Sequence, residues 1–254
     1  MNHLLIKSDF KKGNLLPRWL NEAYNYWSST VSDNQFPCHF GMKAERDGLL
    51  RYTYCENHNF SALPHTLSEF LKLSRKNPSI RYALVLFVEP ELNYQHLDYD
   101  YYNANFWSIL SYLHEQDDKE WSNDIPLDPD DPHWEFVFNG EPIFVSGNAP
   151  FYQNRITRNL GDCLIMIFQP RRIFADTSYT TPHGRKAIEV IRKKVEKIEN
   201  MPYHPDLGGY EDLSKREWKQ YLITDDCNPI KGTCPMRNTL LSSGKGNQKK
   251  EKPC

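Results

Sequence analysis

Apolar residues recur at every third or fourth position in several parts of the chain, which predicts amphipathic helices. Trp19, Tyr24 and Trp27 follow this spacing, and Pro17 suits the first turn of the helix they would form. Thr66 and Ser214 each precede a glutamate by three positions, which is the capping-box pattern of a helix start. Helices are therefore predicted at residues 17–31, within 36–48, and at 66–77, 97–115, 181–199 and 214–222, although WKQYLI in the last range could equally be a strand.

Other apolar runs lack the helical period and predict strands. The run YALVLFVE at residues 82–89 has no polar alternation, so we expect a central strand that is covered on both faces. Residues 49–55 and 162–169 are further strand candidates. The runs WEFVF and EPIFV flank the dipeptide Asn139-Gly140, which favours a two-residue hairpin turn. The pattern predicts a single α+β domain whose mixed or antiparallel sheet has a central Asn-Gly hairpin and flanking helices.

The hairpin register follows from the turn, because two central residues fix which positions face each other. Phe136 should pair with Ile143, and Val137 with Pro142, whose missing N–H predicts a local sheet edge. Trp134 then shares an apolar face with Phe136, whereas Glu135 lies on the other face among apolar neighbours. A carboxylate in such a place is either a structural ion pair or a recognition group for a cationic ligand.

Composition narrows the class of protein. The 254 residues suffice for one buried core, and the formal net charge of −2 gives no general attraction to nucleic acid or to a membrane. The first residues lack the apolar run of a signal peptide, so we expect a cytoplasmic protein. Apolar content falls after Thr224, so residues 1–224 should form the domain and 225–254 a flexible tail. The six cysteines include no C-x-x-C pair, which predicts reduced thiols rather than a zinc site.

Several blocks of the sequence resemble the YqcI/YcgG family. They are FPCHFG with LRYTY, DPDDPHWEF, FNGEPIFV, NAPFYQNRITRN, FQPRRIF and EWKQYL, and they occur in matching order between about residues 36 and 222. Members with an assigned activity resemble heme-dependent oxygenases that N-hydroxylate a guanidino group. The resemblance therefore implies heme b as a cofactor, O2 and a small guanidino or amino compound as substrates, and a reductase as electron donor.

A heme of this kind needs a strong axial ligand to iron. Cys38 is the first candidate, because it matches the Pro-Cys of the family block. Its place near the start of a short helix, with Lys43 close by, should favour the thiolate. The alternative is that Cys38 is a small buried apolar residue. His39 is the rival ligand, and His133 and His114 are weaker candidates.

The remaining requirements are cationic partners for two propionates, an apolar slot and a substrate anchor. The candidates for pairing propionates or a substrate carboxylate are Arg155, Arg158, Arg171 and Arg172, although arginines at strand ends often form surface ion pairs. Glu135 is the candidate anchor for a guanidinium. Trp134 and Phe136 either line the heme or fill the core. We expect the heme to lie between the block that begins at Phe36 and the hairpin.

The resulting hypothesis is a heme- and O2-dependent oxygenase that N-hydroxylates arginine or a related small amino compound. The alternative is a heme-binding or small-ligand-binding protein that acts in sensing or stress without turnover. Neither hypothesis involves nucleic acid or a membrane, and the generic motifs for nucleotide binding, serine hydrolases and zinc proteases do not occur in the sequence.

Overall fold

The computed structural model describes residues 3–11, 16–175 and 180–242. Most helices and strands in these ranges form where the apolar pattern predicts them. The α-helices of these residues are α1 (Arg18–Val31), α2 (His39–Arg46), α3 (Leu63–Lys76), α4 (Tyr99–Glu115), α5 (Pro182–Glu199), α6 (Trp218–Tyr221) and α7 (Arg237–Ser242). The strands are β1 (Arg51–Cys55), β2 (Leu84–Val88), β3 (Phe136–Phe138), β4 (Glu141–Asn148) and β5 (Ile165–Pro170). None of these helices combines the length and apolarity that crossing a bilayer requires.

Helix starts agree with the sequence where a proline marks the first turn. Thr181 caps α5 by accepting a hydrogen bond from the N–H of Gly184 at 2.9 Å, just before Pro182. Both predicted capping boxes are wrong. Thr66 lies inside α3 and donates to the carbonyl of Ala62 at 2.9 Å, and Ser214 donates its hydroxyl to Asp212 at 2.6 Å instead of capping α6.

The five strands form one mixed sheet in the order β1-β2-β5-β4-β3. The β1–β2 pair is parallel, whereas every other pair is antiparallel. All five residues of β2 are buried, as the unbroken apolar run predicts. The β1–β2 pair lies at one edge of the sheet and the β3–β4 pair at the other. The sheet and its helices together form an α+β fold.

The β3–β4 hairpin turns at Asn139 and Gly140, whose φ angles are 51° and 70°. Phe136 faces Ile143 and Val137 faces Pro142 in this pairing. The hairpin lies at one edge of the sheet, with β3 outermost, rather than at its centre. Pairing of β4 with β5 begins at Ile143, so Pro142 has no partner residue in β5. The sheet therefore loses no hydrogen bond on that side through the missing N–H of Pro142.

Two apolar cores cover the two faces of the sheet. Alternation along β2 separates them, because Leu84 and Leu86 belong to the first core while Val85 and Phe87 belong to the second. The first core packs α3, α4 and the hairpin against the sheet, and the second packs α1 and α2. Helix α5 contributes no described residue to either core.

The segment 225–242 contains three buried positions, although the fall in apolar content predicts a flexible segment from residue 225. Cys234, Met236 and Leu240 are buried in the first core. Arg237 pairs with Asp128 and Asp130 of the acidic loop, at 2.9 Å each. Low apolar content therefore does not exclude buried positions within this segment. The rest of the predicted tail, from residue 243, lies outside the described residues.

Gly147 allows β4 to lie close against α4 and the C-terminal segment. A Cβ atom at this position would be 2.7 Å from Cδ1 of Leu222 and 3.0 Å from Cδ2 of Phe106, both in the first core. Both side chains are almost fully buried within the first core. The absence of a side chain at Gly147 is therefore a packing requirement.

We expect Gly147→Ala to lower the free energy of unfolding by about 1–3 kcal/mol, because the added methyl overpacks the first core. Urea unfolding monitored by circular dichroism measures the change. Gly41→Ala is the matched control, since its Cβ would meet nothing closer than 3.7 Å and lies in a helix. A Gly147→Ala variant as stable as the wild type would contradict the packing requirement.

Candidate functional site

Cys38 stands at the start of α2 and caps it. Its backbone is extended, with φ −85° and ψ 94°, and its Sγ atom accepts a hydrogen bond from the N–H of Gly41 at 3.4 Å. Burial raises the pKa of the Cys38 thiol, while the N–H groups of Gly41 and Phe40 and the charge of Arg81 act in the opposite direction. Lys43 does not stabilise a Cys38 thiolate as predicted, because its ammonium pairs with Asp47 at 2.6 Å. The free protein therefore holds a thiol here rather than the expected thiolate.

The surroundings of His39 are cationic. Burial lowers the pKa of His39, and the charges of Lys194, Arg81 and His183 lower it further, so the imidazole is neutral near pH 7. The Arg81 guanidinium lies over the ring of Phe40, 4.6 Å from its centroid. We call the residues that meet here the Cys38 region, which comprises Cys38, His39, Phe40, Arg81, His183 and Lys194.

Helix α5 brings an apolar stripe to the same neighbourhood. The helix carries both His183 and Lys194, and its four apolar residues at helical spacing are only half-buried. These residues are Ile188, Ile191, Val195 and Ile198. Because the stripe belongs to neither core, it is packed only in part and keeps some accessible apolar surface.

A second polar cluster, the Arg171 cluster, comprises Glu135, Arg171, Glu217, Tyr210 and Tyr221. Arg171 follows β5 and its guanidinium pairs with Glu135, which precedes β3, and with Glu217, which precedes α6. Both carboxylates are buried, at 2% and 4% exposure. The structural ion pair, one of the two alternatives for Glu135, is therefore the one formed.

Aromatic rings enclose the guanidinium of Arg171. Its Cζ atom is 4.8 Å from the ring centroid of Tyr210 and 5.8 Å from those of Phe144 and Phe174. The hydroxyl of Tyr221 donates to Glu217 at 3.0 Å and accepts from the N–H of Phe136 at 3.1 Å. The cluster thus connects the hairpin to α6 and to the end of β5.

One guanidinium cannot fully neutralise two buried carboxylates. Burial and the charge of Glu135 raise the pKa of Glu217 to about 7, although Arg171 acts in the opposite direction. Burial also raises the pKa of Glu135, against the charge and the hydrogen bond of Arg171. Because the charges of the two carboxylates act on each other, they titrate as a pair, and this pair binds a proton as the pH falls through about 7.

The other predicted arginines are engaged in structural contacts to different extents. Arg155 is fully buried and donates to the backbone carbonyl of Asp226 at 2.7 Å and to Glu199 at 3.1 Å. Arg172 pairs with Glu141 near the hairpin turn. Arg158 is half-buried and donates to the carbonyl of Gly147 at 3.3 Å.

The other aromatic and histidine candidates are not part of the Cys38 region. Trp134 is fully buried in the first core and stacks on Trp121, with ring centroids 6.4 Å apart, so it fills the core. His114 is buried with its ring 5.6 Å from that of Trp121. His133 is exposed, and its Nδ1 atom is 3.5 Å from Asp131. Phe36 packs against the second core, whereas Trp134 and the hairpin belong to the first core, on the opposite face of the sheet. The expected heme position between the Phe36 block and the hairpin is therefore wrong.

Sequence reasoning missed most charged residues of both sites. Glu217 was assigned to a capping box, although its spacing of four positions from Tyr221 could have indicated a shared face of α6. Lys194 and Arg81 belong to no sequence motif, and only the fold brings their charges near His39. Among the residues that the structure describes, no three His, Cys, Asp or Glu side chains are grouped to hold a metal ion.

Comparison with known proteins agrees with the family resemblance of the sequence blocks. The family model of the YqcI/YcgG family matches residues 27–237. The chain is 36% identical to "Uncharacterized protein YcgG" of Bacillus subtilis, over 87% of this chain and 88% of that protein. It is 34% identical to "Uncharacterized protein YqcI" of Bacillus subtilis, over 92% and 94% of the two chains.

A more distant relative is named for an activity. The chain is 28% identical to the "Putative N(omega)-hydroxy-L-arginine synthase DcsA" of Streptomyces lavendulae, over 88% of this chain and 86% of that protein. No solved structure matches the chain significantly.

The proton that the Arg171 cluster binds predicts a pH dependence of stability. The folded pKa of Glu217, about 7, lies above the ordinary value of 4.5. The folded chain therefore binds more protons than the unfolded chain between these values, and stability falls as the pH rises through about 7. Glu217→Gln cannot titrate, so it should lose less stability than the wild type between about pH 5 and about pH 8, by on the order of 2 kcal/mol.

Urea unfolding at both pH values measures this difference. Glu120→Gln, which removes an exposed carboxylate elsewhere, should follow the wild type. Equal pH dependence in Glu217→Gln and in the wild type would show that the cluster binds no proton in this range.

Proposed function

Because this chain belongs to the YqcI/YcgG family, we propose that it is a heme-dependent oxygenase that N-hydroxylates the guanidino group of arginine or of a related small amino compound. The observation that carries the proposal is the likeness, along most of both chains, to the relative named as an N(omega)-hydroxy-L-arginine synthase. The donors and charges of the Cys38 region support the cofactor part of the proposal.

The Cys38 region fits a heme by the kinds of side chain it contains. Cys38 would be the axial ligand, and the neutral imidazole of His39 is the alternative. Arg81, His183 and Lys194 would pair with the anionic propionates, in place of the four arginines that the sequence suggested. The half-buried apolar stripe of α5 would cover part of the macrocycle.

When bound with a thiolate ligand, heme supplies the activation of O2 that oxygen insertion at a guanidine nitrogen requires. The overall reaction takes up two electrons and two protons, places one oxygen atom on nitrogen and releases the other as water. A reductase would supply the electrons. Cys38 must lose its proton to bind iron, and the hydrogen bond from Gly41 together with the charge of Arg81 would stabilise its anion.

Glu135 is not available as the substrate anchor in this structure, because Arg171 already occupies its carboxylate. We assign Glu135 to positioning of the hairpin and leave the guanidinium anchor to another acidic group. The second candidate function is a heme-binding protein without turnover, which needs the Cys38 region but no substrate anchor.

We expect the protein purified from heme-supplemented cells to show a Soret band, and its ferrous–CO spectrum to be that of a thiolate-ligated heme. Cys38→Ser should lose this thiolate spectrum while remaining folded. Cys227→Ser, which changes an exposed free cysteine, is the matched control and should keep the spectrum. A thiolate spectrum that persists in Cys38→Ser would exclude Cys38 as ligand, and a protein without a Soret band would exclude both heme functions.

The reaction itself is tested with the heme-loaded protein. Incubation with L-arginine, O2 and a reductant should give a product heavier by one oxygen atom, and the label should appear in it when 18O2 is used. Cys38→Ser should reduce the turnover rate at least about a hundredfold if the thiolate drives oxygen activation. Heme binding without any oxygenated product from arginine or other guanidino and amino compounds would favour the binding protein.

A further inference from the structure

A cavity of about 570 Å³ lies between the start of α4 and the segment that follows α6. Its volume is in the range of small-molecule sites. Its lining includes no cysteine and no histidine, so it is separate from the candidate iron ligands. The residues of the lining that carry charge or a large aromatic ring are Tyr99, Asp100, Trp107, Trp218, Asp226 and Lys231.

The walls of the cavity are held by buried contacts. Arg155, fully buried, donates two hydrogen bonds to the backbone carbonyl of Asp226, at 3.0 and 2.7 Å. Asp206 accepts from the N–H of Ile230 at 2.6 Å, and Lys219 donates to the carbonyl of Ile230 at 2.7 Å. Residues 226–230 are thus fixed against the rest of the fold, and a ligand would meet a preorganised wall.

The two carboxylates of the lining differ in how firmly hydrogen bonds hold them in place. Asp226 accepts from the hydroxyl of Thr224 at 2.7 Å and from the side chain of Asn228 at 2.6 Å, and these bonds lower its pKa to about 2. It therefore keeps its negative charge at any physiological pH. Asp100 lies in the first turn of α4 and is exposed, so it can turn toward a ligand.

Two indole rings form part of the cavity wall. Trp107 and Trp218 are 5% and 4% exposed, and their ring centroids are 6.4 Å apart. The indole N–H of Trp107 donates to Asn103 at 3.0 Å, whereas that of Trp218 has no hydrogen-bond partner in the described part of the chain. The ammonium of Lys219 lies over the ring of Trp218, 5.4 Å from its centroid, so the indoles shape the wall rather than supply an open face for a cation.

The titratable charges of the lining are two carboxylates and one ammonium. A basic amino acid carries the opposite set, namely two cationic groups and one carboxylate. We propose that this cavity is a binding site for a free basic amino acid, whose cations pair with Asp100 and Asp226 and whose carboxylate pairs with Lys231. The proposal rests on the cavity and does not require heme or catalysis.

The test uses isothermal titration of the full-length, heme-free protein with three probes. L-Arginine carries the complete charge set, L-citrulline replaces the guanidinium with a neutral group of similar shape, and agmatine lacks the carboxylate. Arginine should bind at least about tenfold more tightly than citrulline and than agmatine, because each loses one charged contact. Equal affinities for arginine and citrulline, or no binding of arginine at millimolar concentration, would overturn the proposal.

Variants locate the site. Asp100→Asn should weaken arginine binding about tenfold or more. Lys231→Ala should weaken arginine binding but leave agmatine binding unchanged, because agmatine has no carboxylate. Asp118→Asn, which changes an exposed carboxylate outside the lining, is the control and should bind as the wild type does.

The variants also separate this site from the proposed oxygenase site. Arginine binding that is retained in Asp100→Asn and lost in Cys38→Ser would place the ligand in the Cys38 region and overturn the cavity proposal. Binding that depends on Asp100 in a protein that never oxygenates arginine would support the cavity and refute the oxygenase proposal alone.

Discussion

The ion pairs of Arg171 with Glu135 and Glu217 are the interaction on which the arrangement of the hairpin half of the sheet depends. They join the end of β5, the segment before β3 and the start of α6, which are distant in sequence. Removing one partner of a buried pair leaves a charge without compensation, which costs several kcal/mol. The register of the hairpin edge and the position of α6 are therefore set together.

A second buried carboxylate fixes the other half of the molecule. Glu45 is fully buried, pairs with Lys7 at 3.1 Å, and accepts hydrogen bonds from Ser28 at 2.6 Å and from Tyr24 and Tyr52. It thereby joins the N-terminal segment, α1, α2 and β1. Buried ionic groups thus accompany the apolar core on each face of the sheet, and their contacts help to specify how the helices dock.

Local patterns predicted what depends on near neighbours in sequence. The period of α1 and α5, the unbroken apolar run of β2 and the Asn139-Gly140 turn each need only a few adjacent residues. The sequence could not show that Glu135 would meet Arg171, or that residues 225–242 would include buried positions, because both depend on contacts between distant segments. Cys38 was found through a family block, whereas Arg81, His183 and Lys194 reach its neighbourhood only when the chain is folded.

Arg155 contacts both helix α5, which belongs to the heme proposal, and the wall of the cavity proposed to bind a basic amino acid. Its guanidinium holds Glu199 at the last turn of α5 and the carbonyl of Asp226 in the cavity wall. A displacement of that wall would change the hydrogen bonds of the same planar group that holds the helix. Helix α5 and the cavity wall are thus linked through one side chain, so a ligand that shifted the wall would also change the free energy of moving α5, and the converse would hold by reciprocity.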